Sequence, residues 1–276
     1  MMPSDTQPDL ETLVRLCEEA GRAILAVREA GFRVDAKEDA SPVTAADLAA
    51  HELLVAGLEA GSTLPILSEE GGEVPWEARR EWQRFWLIDP LDGTREFVDG
   101  FDDFTVNVAL VEAGRPVLGV VHAPALGTSW AGIVGQGAWR WQAEARRPIQ
   151  VAPRWPPRVL ASRAHLDAIT WAWIAAIPGA QLVRCGSSVK FCRIAEGHAD
   201  LYPRFSPTCE WDTAAGQAVL EAAGGAVLAA DSLAALRCQR GESLVNGHFI
   251  ACATPVWRER LAALGRQAVG ESGRHR

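Results

Sequence analysis

Apolar residues recur along the first thirty positions with the spacing of an amphipathic helix. They stand at positions 10, 13, 14, 17, 20, 24 and 25, a period of about 3.6 residues. The pattern predicts a helix over residues 9–30 that ends near Gly31. A second helix is predicted over residues 45–60, with Thr44 as N-cap and Asp47 at the third helical position. This spacing is a capping box with Asp in place of Glu, so capping alone would explain Asp47.

Short apolar runs separated by turn residues follow these helices and predict β-strands. The first half of the chain is therefore expected to be two helices followed by a largely antiparallel sheet. The predicted strands cover residues 63–68, 85–88, 104–112, 116–122, 129–134 and 138–142.

A proline-rich passage over residues 148–157 marks the expected internal boundary. We predict an N-terminal half over residues 1–150, a C-terminal half over 151–265, and a polar, disordered tail over 266–276. In the C-terminal half strands and helices alternate, with strands at 159–162, 182–185 and 199–202 and helices at 165–176, 189–195 and 211–223.

The central segment of the chain is FWLIDPLDGTREFV, residues 85–98. Its four leading apolar residues predict a buried strand, and Pro90, with a fixed φ and no N–H, predicts that the strand ends there in a sharp turn. In such a turn the carboxylates of Asp89 and Asp92 can project to one side. The Leu91 carbonyl, freed from sheet pairing, can point there too. Hard divalent cations such as Mg²⁺ bind oxygen ligands of this kind.

Other residues in this segment and elsewhere in the chain are consistent with a catalytic or ligand-binding site, but they do not require one. Gly93 allows close approach of a ligand, and the N–H groups after it can bind an anion. Carboxylates also stand at the ends of predicted elements at Glu69, Glu70 and Asp212. Each has a structural explanation, as a solvated loop residue or as a charge at a helix N-terminus worth ~0.3–1 kcal/mol. The residues alone leave both interpretations open.

Composition narrows the class of protein. A formal net charge of −8 argues against general binding to nucleic acid or to anionic membranes. Six cysteines without a CxxC pair favour free thiols over a disulfide framework or a zinc site. Neither a signal peptide nor a run of transmembrane length is evident. We therefore expect a cytoplasmic protein with no integral membrane association, and leave open a peripheral contact at the inner membrane.

Four motifs occur together, in an order that a known family shares. The chain resembles the lithium-sensitive, inositol monophosphatase-like superfamily of Mg²⁺-dependent phosphatases through PVTAAD at 42–47, SEE at 68–70, DPLDGT at 89–94 and WDTAAG at 211–216. FTVN, GSSVKFC and LYPRF are similar to the branch of CysQ-type 3'(2'),5'-bisphosphate nucleotidases. The resemblance runs from about residue 10 to residue 252. It departs at Arg95, where a Lys is usual, and in a longer C-terminus.

The resemblance implies an α+β fold, a layered α/β/α/β/α sandwich, with two or more Mg²⁺ ions at one site. Glu69, Asp89, the Leu91 carbonyl and Asp92 would bind the first ion. Asp89, Asp92 and Asp212 would share the second. Two such cations can neutralise a phosphate, acidify a bound water and stabilise the leaving alkoxide.

The resemblance also implies catalytic roles. Glu69 and Thr94 would orient the attacking water, and Asp47 would accept a hydrogen bond from the Thr94 hydroxyl, which makes Thr94 a proton relay. The amides of Gly93 and Thr94 would hold the scissile phosphate. Asp47 thus has two explanations, as a cap and as a base. We favour the base because Thr94 and Glu69 accompany it.

The resemblance further implies that Ser187, Lys190 and Arg204 recognise the nucleotide substrate. Lys190 follows Ser187 by three residues, so both can share one face of a helix's first turn. A solvated helix lysine is the plain alternative. However, only Lys37 and Lys190 are lysines among 27 basic residues, which favours a specific contact with a phosphate. Arg204 can bind a phosphate or stack on a base.

The expected activity is hydrolysis of 3'-phosphoadenosine 5'-phosphate to AMP and phosphate, a reaction that serves sulfate assimilation. The expected partner is this small bisphosphonucleotide, with no nucleic acid, and the chain is a monomer or a homodimer. Two alternatives stay open: an inositol or sugar monophosphatase of the same superfamily, and a nucleotide-binding protein without catalysis.

Overall fold

The structure, a computed structural model, describes residues 9–36, 42–143, 145–163, 166–257 and 259–263. The predicted tail over 266–276 lies outside these residues. The helices are α1 Leu10–Ala30, α2 Ala45–Gly61, α3 Trp76–Arg79, α4 Thr94–Val98, α5 Ala168–Ala175, α6 Val189–Ala195 and α7 Glu210–Ala222. The strands are β1 Val34–Ala36, β2 Pro42–Thr44, β3 Ile66–Ser68, β4 Arg84–Asp92, β5 Thr105–Glu112, β6 Arg115–Ala123, β7 Thr128–Ile133, β8 Gly137–Gln142, β9 Ala145–Ile149, β10 Arg158–Ala161, β11 Gln181–Arg184, β12 Leu201–Arg204, β13 Ala226–Ala229 and β14 Phe249–Cys252.

Each of the two N-terminal helices begins at a capping residue, of which only Thr44 was predicted. Asp9 caps α1 by accepting a hydrogen bond from the Thr12 amide at 3.0 Å. In α2 the Thr44 hydroxyl caps the helix and the Asp47 side chain accepts from the Thr44 amide at 2.8 Å, so the predicted capping box is confirmed. The apolar stripe of α1 is buried against the neighbouring layer, which follows from its helical period.

The large sheet has seven strands in the order β3-β4-β5-β6-β7-β8-β9. All neighbours are antiparallel except β3 and β4, which confirms a largely antiparallel sheet. Side chains alternate across it, as the two-residue period of a strand requires. Trp86 and Ile88 pack in the cluster of α1 and α2, whereas Phe85 and Leu87 pack on the opposite face. Strand β9 was not predicted.

The predicted end of β4 is wrong. The strand continues through Pro90 to Asp92, although its register against β5 shifts between Asp89 and Asp92. Strand β3 pairs with β4 only as far as Ile88. Beyond that residue β4 has a paired neighbour on one side only, and a proline is tolerated at such an edge. The missing N–H therefore disturbs the ladder without ending the strand.

The second sheet has five strands in the order β11-β10-β12-β14-β13. Helices α6 and α7 contribute to a core cluster with residues of both sheets, and α5 packs in a separate cluster with β10, β12 and β14. The layers are thus helices, large sheet, helices, small sheet, helix, and the predicted α/β/α/β/α sandwich is confirmed. Strands β13 and β14 were not predicted.

Helix α7 lies very close to the large sheet. A Cβ at Gly119 in β6 would come within 2.2 Å of the Ala215 carbonyl oxygen in α7. Since real Cβ atoms do not approach a backbone so closely, Gly119 sets the distance between this helix and the sheet. The N-terminus of α7 is the part that carries Asp212.

Part of the C-terminal extension covers the small sheet. Leu261 is buried in the same cluster as Trp173 and Ile250, and Trp257 packs against this cluster from its edge. The described part of the extension therefore has a packing role.

Candidate active site

The parallel pairing of β3 and β4 brings two acidic segments together. Ser68 pairs with Ile88, and the Glu69 amide donates to the Ile88 carbonyl at 3.2 Å. Because the carboxyl ends of parallel strands meet at one edge, Glu69 lies next to Asp89. Pairing of the strands, rather than local sequence, creates this proximity.

Asp212 reaches the same edge from the first turn of α7. Its Oδ2 accepts a hydrogen bond from the Cys209 amide at 2.8 Å, so this carboxylate caps its own helix. Oxygen atoms of Glu69, Asp89 and Asp212 all lie within 4.8 Å of one another. Three of the predicted metal ligands therefore form one compact group.

The electrostatics of this group fit a cation. Asp89 is fully buried; its Oδ1 accepts from the Leu91 amide at 3.0 Å, and its Oδ2 has no hydrogen-bond partner among the described residues. Burial, and then the charge of Glu69, raises the pKa of Asp89 well above its ordinary value. Burial, and then the charge of Asp92, does the same for the pKa of Asp212. A bound dication would satisfy the orphaned oxygen and offset the repulsion.

Asp92 stands beside this group, and one of its two carboxylate oxygens is hydrogen-bonded to the loop before α6. Its Oδ2 accepts from the Ser187 hydroxyl and from the Ser188 amide, both at 2.6 Å. The Leu91 carbonyl accepts from the Thr94 hydroxyl at 3.1 Å. Both predicted ligands thus lie at the site, each with a protein hydrogen bond.

Asp47 makes both contacts that the sequence suggested. Its Oδ2 accepts from the Thr44 amide and hydroxyl. Its Oδ1 lies 3.2 Å from the Thr94 hydroxyl and shares that single donor with the Leu91 carbonyl. Burial raises the pKa of Asp47, whereas the hydrogen bonds from Thr44 oppose this. One carboxylate therefore serves the cap with one oxygen and contacts Thr94 with the other.

A cavity of about 540 Å³ opens over these groups. Lys190 lines it although its side chain is buried; its Nζ donates to the Cys185 carbonyl at 3.4 Å and lies 5.1 Å from the centre of the Tyr202 ring. Arg204 lines the rim, where its guanidinium donates to the carbonyls of Ser206 and Pro207. The predicted residues that line the cavity are Glu69, Asp92, Gly93, Thr94, Ser187, Lys190, Arg204 and Asp212.

Sequence reasoning missed a polar network behind the cavity. The Thr105 hydroxyl contacts the hydroxyls of Ser187 and Ser188, and the Ser188 hydroxyl donates to Asn107 Oδ1 at 2.7 Å. Ser187 itself has a positive φ of 49°. Thr105 and Asn107 belong to the FTVN motif, so the sequence contained a signal for this network. The serines that they contact belong to GSSVKFC, about eighty residues further along the chain, and the sequence alone does not show this pairing.

Comparison with known proteins identifies the family. The model of the inositol monophosphatase family matches residues 5–269. The chain belongs to the inositol monophosphatase family. This confirms the resemblance drawn from the motifs. Members of this family are metal-dependent phosphatases, in agreement with the acidic group.

Within the inositol monophosphatase family, bisphosphate nucleotidases are close relatives. The 3'(2'),5'-bisphosphate nucleotidase CysQ of Salmonella typhimurium (strain LT2) is 47% identical over 221 residues, which cover 79% of this chain and 89% of that protein. That of Escherichia coli (strain K12) is 46% identical with the same coverage. The crystal structure of CysQ from Bacteroides thetaiotaomicron superimposes with a TM-score of 0.77 at 37% identity, over 87% of this chain and 95% of that one.

Among the described residues, no helix combines the length and apolar character needed to cross a membrane. The cytoplasmic location stays a prediction.

Proposed function

We propose that this chain is a Mg²⁺-dependent 3'(2'),5'-bisphosphate nucleotidase, which hydrolyses 3'-phosphoadenosine 5'-phosphate to AMP and phosphate. One observation carries the proposal: two members of the compact acidic group, Glu69 and Asp212, line the same cavity as a buried lysine. The acidic group suits a metal ion, and the lysine suits a second phosphate that lies away from that metal ion. The names of the relatives at 46–47% identity support the same substrate class.

Glu69, Asp89 and Asp212 would hold the metal, with Asp92 and the Leu91 carbonyl completing the donor set. Bound Mg²⁺ supplies charge neutralisation for the phosphate and a more acidic water. The carboxylates keep the site close to neutral before an anionic substrate arrives.

The remaining polar groups handle the phosphate and the proton. The amides of Gly93 and Thr94, at the start of α4, would bind the scissile phosphate. Glu69 and the Thr94 hydroxyl would orient the attacking water. The contact of Thr94 with Asp47 at 3.2 Å supports a relay in which Asp47 takes up the proton.

The second phosphate would bind at Lys190, with Arg204 at the rim and Ser187 nearby. The Cys185 carbonyl and the Tyr202 ring hold the Lys190 ammonium in place, so little conformational freedom is lost on binding. An inositol or sugar monophosphate offers no second anion to this group. This difference favours the nucleotide over the alternatives within the family.

The test compares two substrates under identical Mg²⁺. Lys190→Ala and Arg204→Ala should lower kcat/KM for 3'-phosphoadenosine 5'-phosphate by roughly ten- to a hundredfold, the worth of one charge-assisted hydrogen bond. Hydrolysis of inositol 1-phosphate should change little. Arg193→Ala is the matched control, since Arg193 stands on the same helix but pairs with Glu196 outside the cavity.

Three results would reject the proposal. Equal losses on both substrates would mean that Lys190 and Arg204 support the fold or the metal rather than the nucleotide. A wild-type enzyme that prefers inositol 1-phosphate would assign the chain to the sugar phosphatases. Absence of phosphate release with either substrate would favour a non-catalytic nucleotide-binding protein.

A further inference from the structure

The cavity contains one acid that the proposed mechanism does not use. Glu96 lies on α4, only two residues after Thr94, and the residue is 7% exposed. It nevertheless lines the cavity together with Lys190. A buried carboxylate that faces a phosphate-binding cavity requires an explanation, because it repels the anion that the cavity is built to hold.

Two glycines create the space that Glu96 occupies. A Cβ at Gly93 would come within 3.4 Å of Glu96 Oε2, and a Cβ at Gly186 would come within 3.0 Å of Glu96 Cγ. The carboxylate therefore lies beside Gly93, whose amide belongs to the proposed cradle of the scissile phosphate. A group that Glu96 contacts in the substrate must be close to that phosphate.

Glu96 has no ion-pair partner of its own. Within the part of the chain that the structure describes, no basic nitrogen lies within 4.0 Å of its carboxylate. Burial and then the charge of Asp92 raise the pKa of Glu96, and they outweigh the opposing effects of a hydrogen bond from its own backbone amide and of the Lys190 ammonium. Lys190 instead donates to the Cys185 carbonyl. The cavity thus presents a buried cation and a buried carboxylate that are not paired with each other.

Such an arrangement suits a ligand that carries both an anion and a hydrogen-bond donor. Without a ligand, a carboxylate that faces the cavity can accept hydrogen bonds from water. A ligand that displaces this water must supply a donor in its place to avoid a cost. In a ribonucleotide the group next to the scissile phosphate is the vicinal hydroxyl, which is the 2'-hydroxyl for a 3'-phosphate and the 3'-hydroxyl for a 2'-phosphate.

We propose that Glu96 is a specificity residue that accepts a hydrogen bond from the sugar hydroxyl vicinal to the scissile phosphate. This assignment rests on the proposed function and deepens it. Glu96 then selects ribonucleotides over deoxyribonucleotides. A deoxy substrate would displace water from the carboxylate without supplying a hydroxyl donor in its place, and sites built to bind a hydroxyl reject analogues that lack it.

The experiment measures kcat/KM for 3'-phosphoadenosine 5'-phosphate and for its 2'-deoxy analogue. The wild-type enzyme should prefer the ribonucleotide by about ten- to a hundredfold, the worth of a hydrogen bond to a charged group. Glu96→Ala should abolish most of this preference, mainly by losing activity on the ribonucleotide. Glu96→Gln has nearly the same shape and a neutral acceptor, so it should keep an intermediate preference. Because it conserves the shape of the side chain, it also tests whether the effect of Glu96→Ala comes from local misfolding.

Two controls separate Glu96 from its surroundings. Lys190→Ala should lower kcat/KM for both nucleotides by the same factor, because both carry the 5'-phosphate. Asp99→Asn, at the exposed end of α4, should change neither value. Thermal unfolding of each variant verifies that it is folded.

The outcomes are distinct. If wild type hydrolyses the ribonucleotide but the ratio between the two nucleotides is unchanged in Glu96→Ala, the assignment of Glu96 is overturned and the proposed function stands. A wild type without ribonucleotide preference overturns the assignment in the same way. If wild type hydrolyses neither nucleotide, the proposed function and the role of Glu96 both fail.

Discussion

Substitution of Asp47 by Asn separates the two roles of this residue. Oδ2 accepts two hydrogen bonds from Thr44, at 2.8 and 2.7 Å, and Oδ1 accepts one from Thr94. An asparagine can direct its carbonyl oxygen to Thr44 and keep both cap contacts. Its amide group then faces the Thr94 hydroxyl, where it can donate a hydrogen bond but cannot accept a proton.

The two roles predict effects of very different size. Loss of a charge from the first turn of α2 should lower the free energy of unfolding by about 0.3–1 kcal/mol. A domain stable by ~5–15 kcal/mol remains folded after such a change. Loss of a general base should reduce kcat by about 10²–10⁴-fold, or ~2.7–5.4 kcal/mol of barrier. A cap alone predicts a small stability loss with normal kcat, whereas a relay predicts the large kinetic loss as well.

The assay combines urea unfolding with kcat at saturating 3'-phosphoadenosine 5'-phosphate and Mg²⁺. Thr94→Ala should reproduce the kinetic loss and Thr94→Ser should retain much of the activity, because the relay needs only a hydroxyl. The double variant Asp47→Asn/Thr94→Ala should be no worse than the more affected single variant, since residues that act as a unit are not additive. Near-normal kcat for Asp47→Asn, or multiplicative losses in the double variant, would refute the relay.

Three further outcomes are expected. Asp212→Asn should keep the helix cap on Cys209 but lower kcat by several orders of magnitude and raise the Mg²⁺ requirement; an unchanged Mg²⁺ titration would show that Asp212 is only a cap. Ser187→Ala removes a hydrogen bond from Asp92 and should weaken Mg²⁺ binding by about 10–100-fold without a large loss of thermal stability. Burial lowers the pKa of His122 from 6.5 to about 4, so the free energy of unfolding should decline as pH falls from 6.5 towards 4, while unfolded chains protonate and folded ones do not; in His122→Asn, denaturant titrations should show a flatter decline over this range.

The local features of the fold and the identity of the family could be predicted from the sequence. The helical period of α1 and the Thr44–Asp47 capping box are local signals, and both were predicted correctly. Motif order also identified the family before any geometry was known. These features depend on residues close together in the chain or on a pattern that the whole family shares.

Features that depend on distant pairing were not predictable in this way. The continuation of β4 through Pro90 was missed because its edge position depends on where β3 ends. The contact of Asp92 with Ser187 and Ser188 joins residues from the two halves of the chain. From the GSSVKFC motif alone, Ser187 was predicted to contact the substrate. Only the folded structure shows that its hydroxyl donates a hydrogen bond to the Asp92 carboxylate. The roles assigned to these site residues stay predictions.

Helix α7 unites the two halves of the chain and determines how the site is built. Its residues Ala215 and Val219 share one core cluster with Val121 of the large sheet and Phe249 of the small sheet. The same helix supplies Asp212 to an acidic group whose other members come from the N-terminal half. The division near residue 150 stays a prediction for folding units. For the acidic group, however, neither half is complete alone, because its geometry depends on packing of α7 between the sheets. Substitutions that loosen this packing should therefore weaken metal binding even when every metal-binding residue is unchanged.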